Sequence, residues 1–407
     1  MHTKIHTFCF ILTCLAFMPL APLSPLFANA STLDAALQDM CDRKIILLGE
    51  NGHGDGNSPA FKTTLTKRLV KECGFNRLVF EASFYDGMKV MQAARLGTPV
   101  SEDMVKSAMA SIRNNTKGIA PLIPFVRNRV QAGTLTLAGI DDQISVWGSF
   151  YALGDMGRDL TAYLPEPRAG QCEATLKQRF WYQYSEDAPY DENRQKPVLT
   201  CLDDIKAAIQ NKTNKTTRGQ DFLAVIASIN RRLAREFTGT NDYRYRRDQS
   251  MFENFSWLMD RFDDGIDQSI DEGIDQASKT IIWTVNAHAA KDTSGFKPFR
   301  DGKNIGILIA EKYGADQVYA LGFTAPKGTY RFGRTVKEIP KAPANSLEHK
   351  ALQSAKAPDL FLNKGRLREM GAVPSNLYIH EPAVSDWSKA FDGVIVFARG
   401  KPTELVR

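Results

Sequence analysis

The chain alternates between short apolar runs and longer segments with apolar residues every three or four positions. "KIILL" (44–48) is a β-branched run that predicts a strand. "RLVFE" (77–81), "TLTLAGID" (134–141), "TIIWTVN" (280–286), "QVYALGF" (317–323), "LFLN" (360–363) and "GVIVFA" (393–398) read the same way. Between the first two runs, "PAFKTTLTKRLVKECG" (59–74) sets Phe61, Leu65, Leu69 and Val70 at helical spacing, with Ser58 as N-cap and Gly74 as a stop. That strand–helix–strand unit predicts a parallel pair joined by a right-handed crossover. Helices are predicted near 84–95, 101–112, 119–132 and 302–313, and "GTYRFGRTVKEI" (328–339) predicts a β-excursion. Residues 147–262 read as almost entirely helical, with polar breaks near 165–171, 185–197 and 211–218. The pattern predicts an α/β fold: a largely parallel sheet sandwiched by helices. Its core comes in two parts, 31–146 and 279–407, with a helical cap and linker inserted over 147–278.

Residues 1–30 stand outside this pattern. A lysine, an apolar stretch broken by prolines and the small-x-small site Ala28-Asn29-Ala30 predict a cleaved signal peptide, with a mature chain from about Ser31. The protein is therefore expected to be exported, to the periplasm or beyond. No later stretch is long and apolar enough to span a bilayer. The formal net charge is +6, of which Lys4 alone belongs to the leader. "RYRR" (244–247) and "NRRLARE" (230–236) read as solvated helix faces or site residues, and no nucleic-acid-binding module is present. Cys41, Cys73, Cys172 and Cys201 remain after cleavage. Cys172–Cys201, bracketing one local insertion, and Cys41–Cys73 are the expected disulfides. No cysteine spacing resembles a zinc site. "DDGIDQSIDEGIDQ" (263–276) lacks the ordered ligands of a calcium loop and reads as a solvated linker.

The polar residues follow the predicted strands. Glu50 and His53, in the glycine-rich "LGENGHGDGNS" (48–58), come after the first strand, and Glu81 ends the second. Asp141 and Asp142 end the third, and Asn286 and His288 come at the end of the fourth. Carboxyl ends of parallel strands lie along one sheet edge, where ligands bind, so residues more than 230 positions apart are expected to share a cleft. Glu81 at a sheet end is costly unless paired. A histidine beside carboxylates can activate water as a general base, and an arginine can stabilise an oxyanion. No G-x-S-x-G elbow signals a serine nucleophile. The same histidines and carboxylates could instead hold a metal ion.

"LLGENGHG" followed by "GFNRLVFEAS", and "AGIDDQ" (138–143), resemble the opening motifs of the erythromycin esterase-like proteins. "YRRDQSMFENFSWL" (245–258) is similar to their Arg-acid…Met…Asn helix, and "IIWTVNAHAAKD" (281–292) to their Trp-x-His-Asn-x-His element. "YGADQVYALGF", "NSLEHKAL" and "FDGVIVF" continue in order, so the resemblance spans nearly the whole mature chain.

The resemblance implies a hydrolase of ester or lactone bonds on a small molecule, as in the cleavage of macrolide lactones, with no obligatory cofactor. By position it implies His53 as general base, with Glu50 and Glu81 orienting it and polarising water. Arg247 would stabilise the developing anion, and His288 would assist the leaving group. Asp141 and Asn286 are expected to bind substrate. Two positions depart from the family pattern: Gly52 stands where threonine is usual, and Val285 replaces the first histidine of the His-Asn-x-His element. Two alternatives remain. One is a metal-dependent hydrolase using His53, Glu81 and His288, with Glu50 as a further ligand. The other is a non-catalytic small-molecule-binding protein with a degenerate site.

Overall fold

The computed structural model describes residues 31–110, 115–143, 151–185, 190–212, 216–238, 243–263, 278–296, 302–353 and 358–406. Residues 1–30, where the signal peptide is expected, and nearly all of the "DDGIDQSIDEGIDQ" segment lie outside the described residues.

Seven strands form the central sheet. β1 (Ile45–Leu48), β2 (Phe75–Ser83), β3 (Thr136–Asp141), β4 (Lys279–Trp283) and β5 (Val318–Thr324) are parallel to one another. Two short hairpins leave the sheet: β6 (Gly328–Phe332) with β7 (Thr335–Ile339), and β9 (Ala372–Tyr378) with β10 (Glu381–Asp386). β11 (Gly393–Phe397) pairs parallel with β5, and β8 (Asp359–Asn363) closes the edge antiparallel to β11. The spatial order is β3-β2-β4-β1-β5-β11-β8.

That order corrects one expectation. β1 and β2 are parallel but not neighbours, because β4 lies between them and pairs with both. The register across this trio is regular: Leu48 lies opposite Trp283, and Trp283 opposite Phe80. The residues just beyond these positions therefore emerge at one level of the sheet edge. β4 also ends earlier than the apolar run suggests. Residues Asn286–Ala289 leave it as one helical turn.

Both sheet faces are buried. Ile45 and Leu47 pack into one core and Ile46 and Leu48 into the other, the period-two alternation of a sheet covered on both sides. The first core is shared with helices Arg168–Phe180, Glu192–Gln210, Thr217–Thr238 and Tyr243–Asp263. The named elements between β3 and β4 are all helices. Helix Glu192–Gln210 begins inside the expected break and carries Pro197, and helix Arg168–Phe180 begins inside the break near 165–171. Asn254 on helix Tyr243–Asp263 donates to the Ile140 carbonyl at 2.9 Å, which pins that helix to β3. Disulfides join Cys41 to Cys73 and Cys172 to Cys201. Among the described residues no helix is long and apolar enough to cross a membrane.

Helix Asn57–Glu72 covers the second core, with Leu65, Leu69 and Val70 buried. At its start the buried Asp55 accepts hydrogen bonds from the Ser58 hydroxyl and, at 3.1 Å, from the Asn57 N–H. Burial outweighs these bonds and pushes its pKa from 3.8 up to about 6. The folded state then holds the proton more tightly than the unfolded chain, so stability is lost as pH rises from about 4 to about 6. Asp55→Asn is expected to raise the urea midpoint at pH 7.5, with a smaller gain at pH 4, where the wild-type carboxyl is already protonated. A lower midpoint at pH 7.5 would show that the charged form is the one the fold favours.

Candidate active site

The loop after β1 carries the first half of the site. Glu50 Oε1 lies 2.8 Å from His53 Nδ1. Its Oε2 accepts from Lys62 Nζ at 2.9 Å and from the Trp283 indole N–H at 3.3 Å. Glu50 is 1 % exposed, whereas the His53 side chain is 30 % exposed. The carboxylate is thus sealed beneath the loop and the imidazole is presented above it. With Nδ1 donating to Glu50, Nε2 is left as the basic nitrogen. Lys62 is fully buried; it also donates to the carbonyls of Leu48 and Thr284, both at 3.2 Å, and lies 4.3 Å from the centre of the Trp283 ring.

Two of the loop glycines make room for other parts of the chain. A Cβ on Gly49 would meet Asn286 Oδ1 at 2.2 Å, and one on Gly54 would meet the Arg331 carbonyl oxygen at 1.6 Å. At Gly52 a Cβ would meet only His380 Nε2, at 3.9 Å.

The second half forms around Arg247, near the start of helix Tyr243–Asp263. Its Nε and Nη2 donate to the two Asp141 oxygens at 3.1 and 2.5 Å, and Nη2 also reaches Glu81 Oε1 at 2.9 Å. Its Nη1 lies 3.2 Å from His288 Nε2. His288 Nδ1 is 2.7 Å from Asp248 Oδ1, which also accepts from the Ile305 N–H at 2.8 Å. Thr284 Oγ1 donates to Glu81 Oε2 at 2.8 Å. Burial works against the Arg247 cation, but Asp141 and Glu81 more than offset it and hold its pKa well above the ordinary guanidinium value. Burial likewise works against the His288 imidazolium, and Asp248 and then Glu81 outweigh it, so its pKa is raised.

The two halves meet at the end of β4. Trp283 touches Glu50, while Thr284 holds Glu81 through its hydroxyl and Lys62 through its carbonyl. The structure therefore brings Glu50 and His53 to one side of this strand end, and Glu81, Asp141, Arg247 and His288 to the other. Asn286 Nδ2 donates to the carbonyls of Phe323 and Leu377 and its Oδ1 accepts from the Phe323 N–H, so the amide ties β5 to β9. Asp141 is spent on Arg247. Asp142 accepts two hydrogen bonds of 2.6 Å from Arg235, in a buried bidentate pair that fastens helix Thr217–Thr238 to the end of β3. Among the described residues no three His, Cys, Asp or Glu side chains are arranged to hold a metal ion. Glu81 Oε1 lies 3.7 Å from His288 Nε2, and the Arg247 guanidinium contacts both.

Lys62, Thr284 and Asp248 were not singled out in the sequence. Lys62 had a signal: it falls on the buried stripe with Leu65 and Leu69, where a lone lysine needs a buried anion. Asp248 directly follows Arg247, and Thr284 follows the apolar end of β4, but neither position is distinctive alone.

The erythromycin esterase family profile matches residues 70–400. The protein YbfO of Bacillus subtilis (strain 168), provisionally named a hydrolase, is 22 % identical over 370 residues, covering 83 % of this chain and 78 % of YbfO. A Bacillus cereus protein of known structure superposes with a TM-score of 0.66 at 18 % identity, over 93 % of this chain and 94 % of its own. A mutant of the erythromycin esterase EreC in its open conformation gives a TM-score of 0.65 at 14 % identity, over 92 % of this chain and 95 % of that one. The shared fold is the mostly parallel sheet with flanking helices described above. With the family profile running from the end of helix Asn57–Glu72 to beyond β11, this chain belongs to the erythromycin esterase family.

Proposed function

We propose that the protein hydrolyses an ester or lactone bond of a small molecule by attack of water activated by His53. The observation that carries this reading is the 2.8 Å contact between a sealed Glu50 and a partly exposed His53. Glu50 is held as an anion by Lys62, and as an anion it favours the tautomer with Nδ1–H and a basic Nε2. That nitrogen takes a proton from water as the oxygen attacks the carbonyl carbon. Arg247, fixed by Asp141 and Glu81, faces the developing oxyanion. When the intermediate collapses, the C–O bond to the alcohol breaks, and His288, whose raised pKa favours its protonated form, supplies the proton to the leaving oxygen. The products are a carboxylic acid and an alcohol.

We further propose that the reaction uses no bound metal. The positive charge that a metal would bring to Glu81 and His288 is supplied by the Arg247 guanidinium, which contacts both. Val285 does not remove the base in this scheme, because Glu50 and His53 come from another loop. Export is part of the proposal: residues 1–30 read as a leader, and the two disulfides suit an oxidising compartment.

His53→Ala and Glu50→Gln are expected to lower kcat at least a hundredfold each, with little change in thermal midpoint for His53→Ala; steady-state hydrolysis of the best ester in a broad screen, beside calorimetry, checks both. A folded His53→Ala variant with full activity would end the mechanism. Arg247→Lys keeps the charge but cannot span Asp141 and Glu81 at once, so kcat is expected to drop about tenfold to a hundredfold. Wild-type kcat is expected to fall on the alkaline side as pH rises through the raised His288 pKa, and a kcat profile flat on that side would remove His288 from proton donation.

A further inference from the structure

His380 was not distinguished by the sequence, and it borders the same loop. It sits with Ile379 in the tight turn between β9 and β10. Both residues have positive φ, 51° and 58°. A β-branched residue there is strained, and such strain persists only where the surroundings impose it. Asn51, between Glu50 and Gly52, supplies one constraint: its Oδ1 accepts the His380 N–H at 2.7 Å, and its Nδ2 donates to the Asn376 carbonyl at 2.5 Å.

The imidazole so placed is 4 % exposed and packs on the Tyr330 ring with centroids 4.4 Å apart. No protein group among the described residues hydrogen-bonds to either ring nitrogen. Buried polar atoms are seldom left so, because the desolvation is uncompensated. Its Nε2 lies 3.9 Å from where a Cβ on Gly52 would stand, and Gly52 directly precedes His53 in the chain.

We propose that His380 and Gly52 form a substrate subsite beside His53 that receives a neutral hydroxyl group lying close to the scissile carbonyl. The chemistry selects the group. Burial alone pushes the His380 pKa down to about 4, and no charged neighbour contributes. The ring is therefore neutral at physiological pH, with one donor and one acceptor. A hydroxyl supplies the complementary pair in the smallest volume. Among the described residues no cation acts on this ring, so a carboxylate or phosphate would gain no charged partner from it. His380 is thus a specificity-determining residue, and this assignment rests on the hydrolase reading above.

The test uses the full mature protein and matched esters: propyl propanoate, its analogue with a hydroxyl on the alcohol part, and its analogue with a hydroxyl on the acyl part. The wild type is expected to prefer one hydroxyl-bearing ester by about tenfold in kcat/KM, the worth of one well-placed hydrogen bond. His380→Phe, which keeps the stacking on Tyr330, and Gly52→Val, which fills the approach, should each bring that ratio near one. A ratio unchanged in both variants would overturn the proposal. A separate readout is the His380 imidazole NMR signal, assigned by its loss in His380→Phe, during titration with 1,2-propanediol and then with ethyl lactate. A shift that Gly52→Val abolishes supports the subsite, and no shift with either probe overturns it. If no ester is cleaved, the hydrolase reading fails by itself and the titration still decides the subsite.

Discussion

The ion pair between Glu50 and Lys62 is the constraint on which the site depends. A carboxylate buried at the end of a sheet strand is tolerated only with a compensating charge and filled hydrogen-bond positions. Lys62 supplies the charge at 2.9 Å, and its other contacts, two backbone carbonyls and the face of Trp283, spread its own desolvation cost over fixed dipoles. Buried pairs of this kind add little net stability, yet removing one partner costs about 3–5 kcal/mol. Their value lies in fixing a charge state. In the proposed mechanism the charge so fixed is that of Glu50, and it selects the His53 tautomer with the proton on Nδ1.

The same pair locks parts of the chain far apart in sequence. Lys62 rides on the helix after β1, Trp283 and Thr284 end β4, and Thr284 carries the connection on to Glu81 at the end of β2. Beyond Glu81 the polar contacts run through Arg247 to Asp141, His288 and Asp248. One side of the cleft thus holds the His53 imidazole backed by the buried Glu50 carboxyl. The other holds a cationic guanidinium and an imidazole whose neighbours favour its protonation. The proposed acid–base mechanism uses that division, and the helical segment after β3 contributes Arg247 and Asp248 on a helix pinned to the sheet by Asn254.

Much of this was legible in the sequence because the sheet obeys local rules. β-branched runs gave the strands, and the polar residues following them fell at one sheet edge. Strand order was not legible: that β4 lies between β1 and β2 depends on contacts more than 200 residues apart, to which local periodicity is blind. The backbone partners of Asn286 were hidden for a related reason. A buried amide filling backbone hydrogen bonds has the same one-letter code as one that binds substrate. Lys62 was legible in principle, since it interrupts an apolar stripe. His380 was not, because it lies in a turn whose two residues, Ile379 and His380, lack the usual glycine or asparagine signal.

The central claim is that buried Glu50, charged because of Lys62, holds His53 with its proton on Nδ1 and leaves Nε2 basic. Nitrogen-15 NMR of the His53 imidazole, at a pH where the ring is neutral, reads this directly. The account predicts a protonated Nδ1 and an unprotonated Nε2 in the wild type, and loss of that preference in Lys62→Met. A wild-type ring protonated at Nε2 would contradict it.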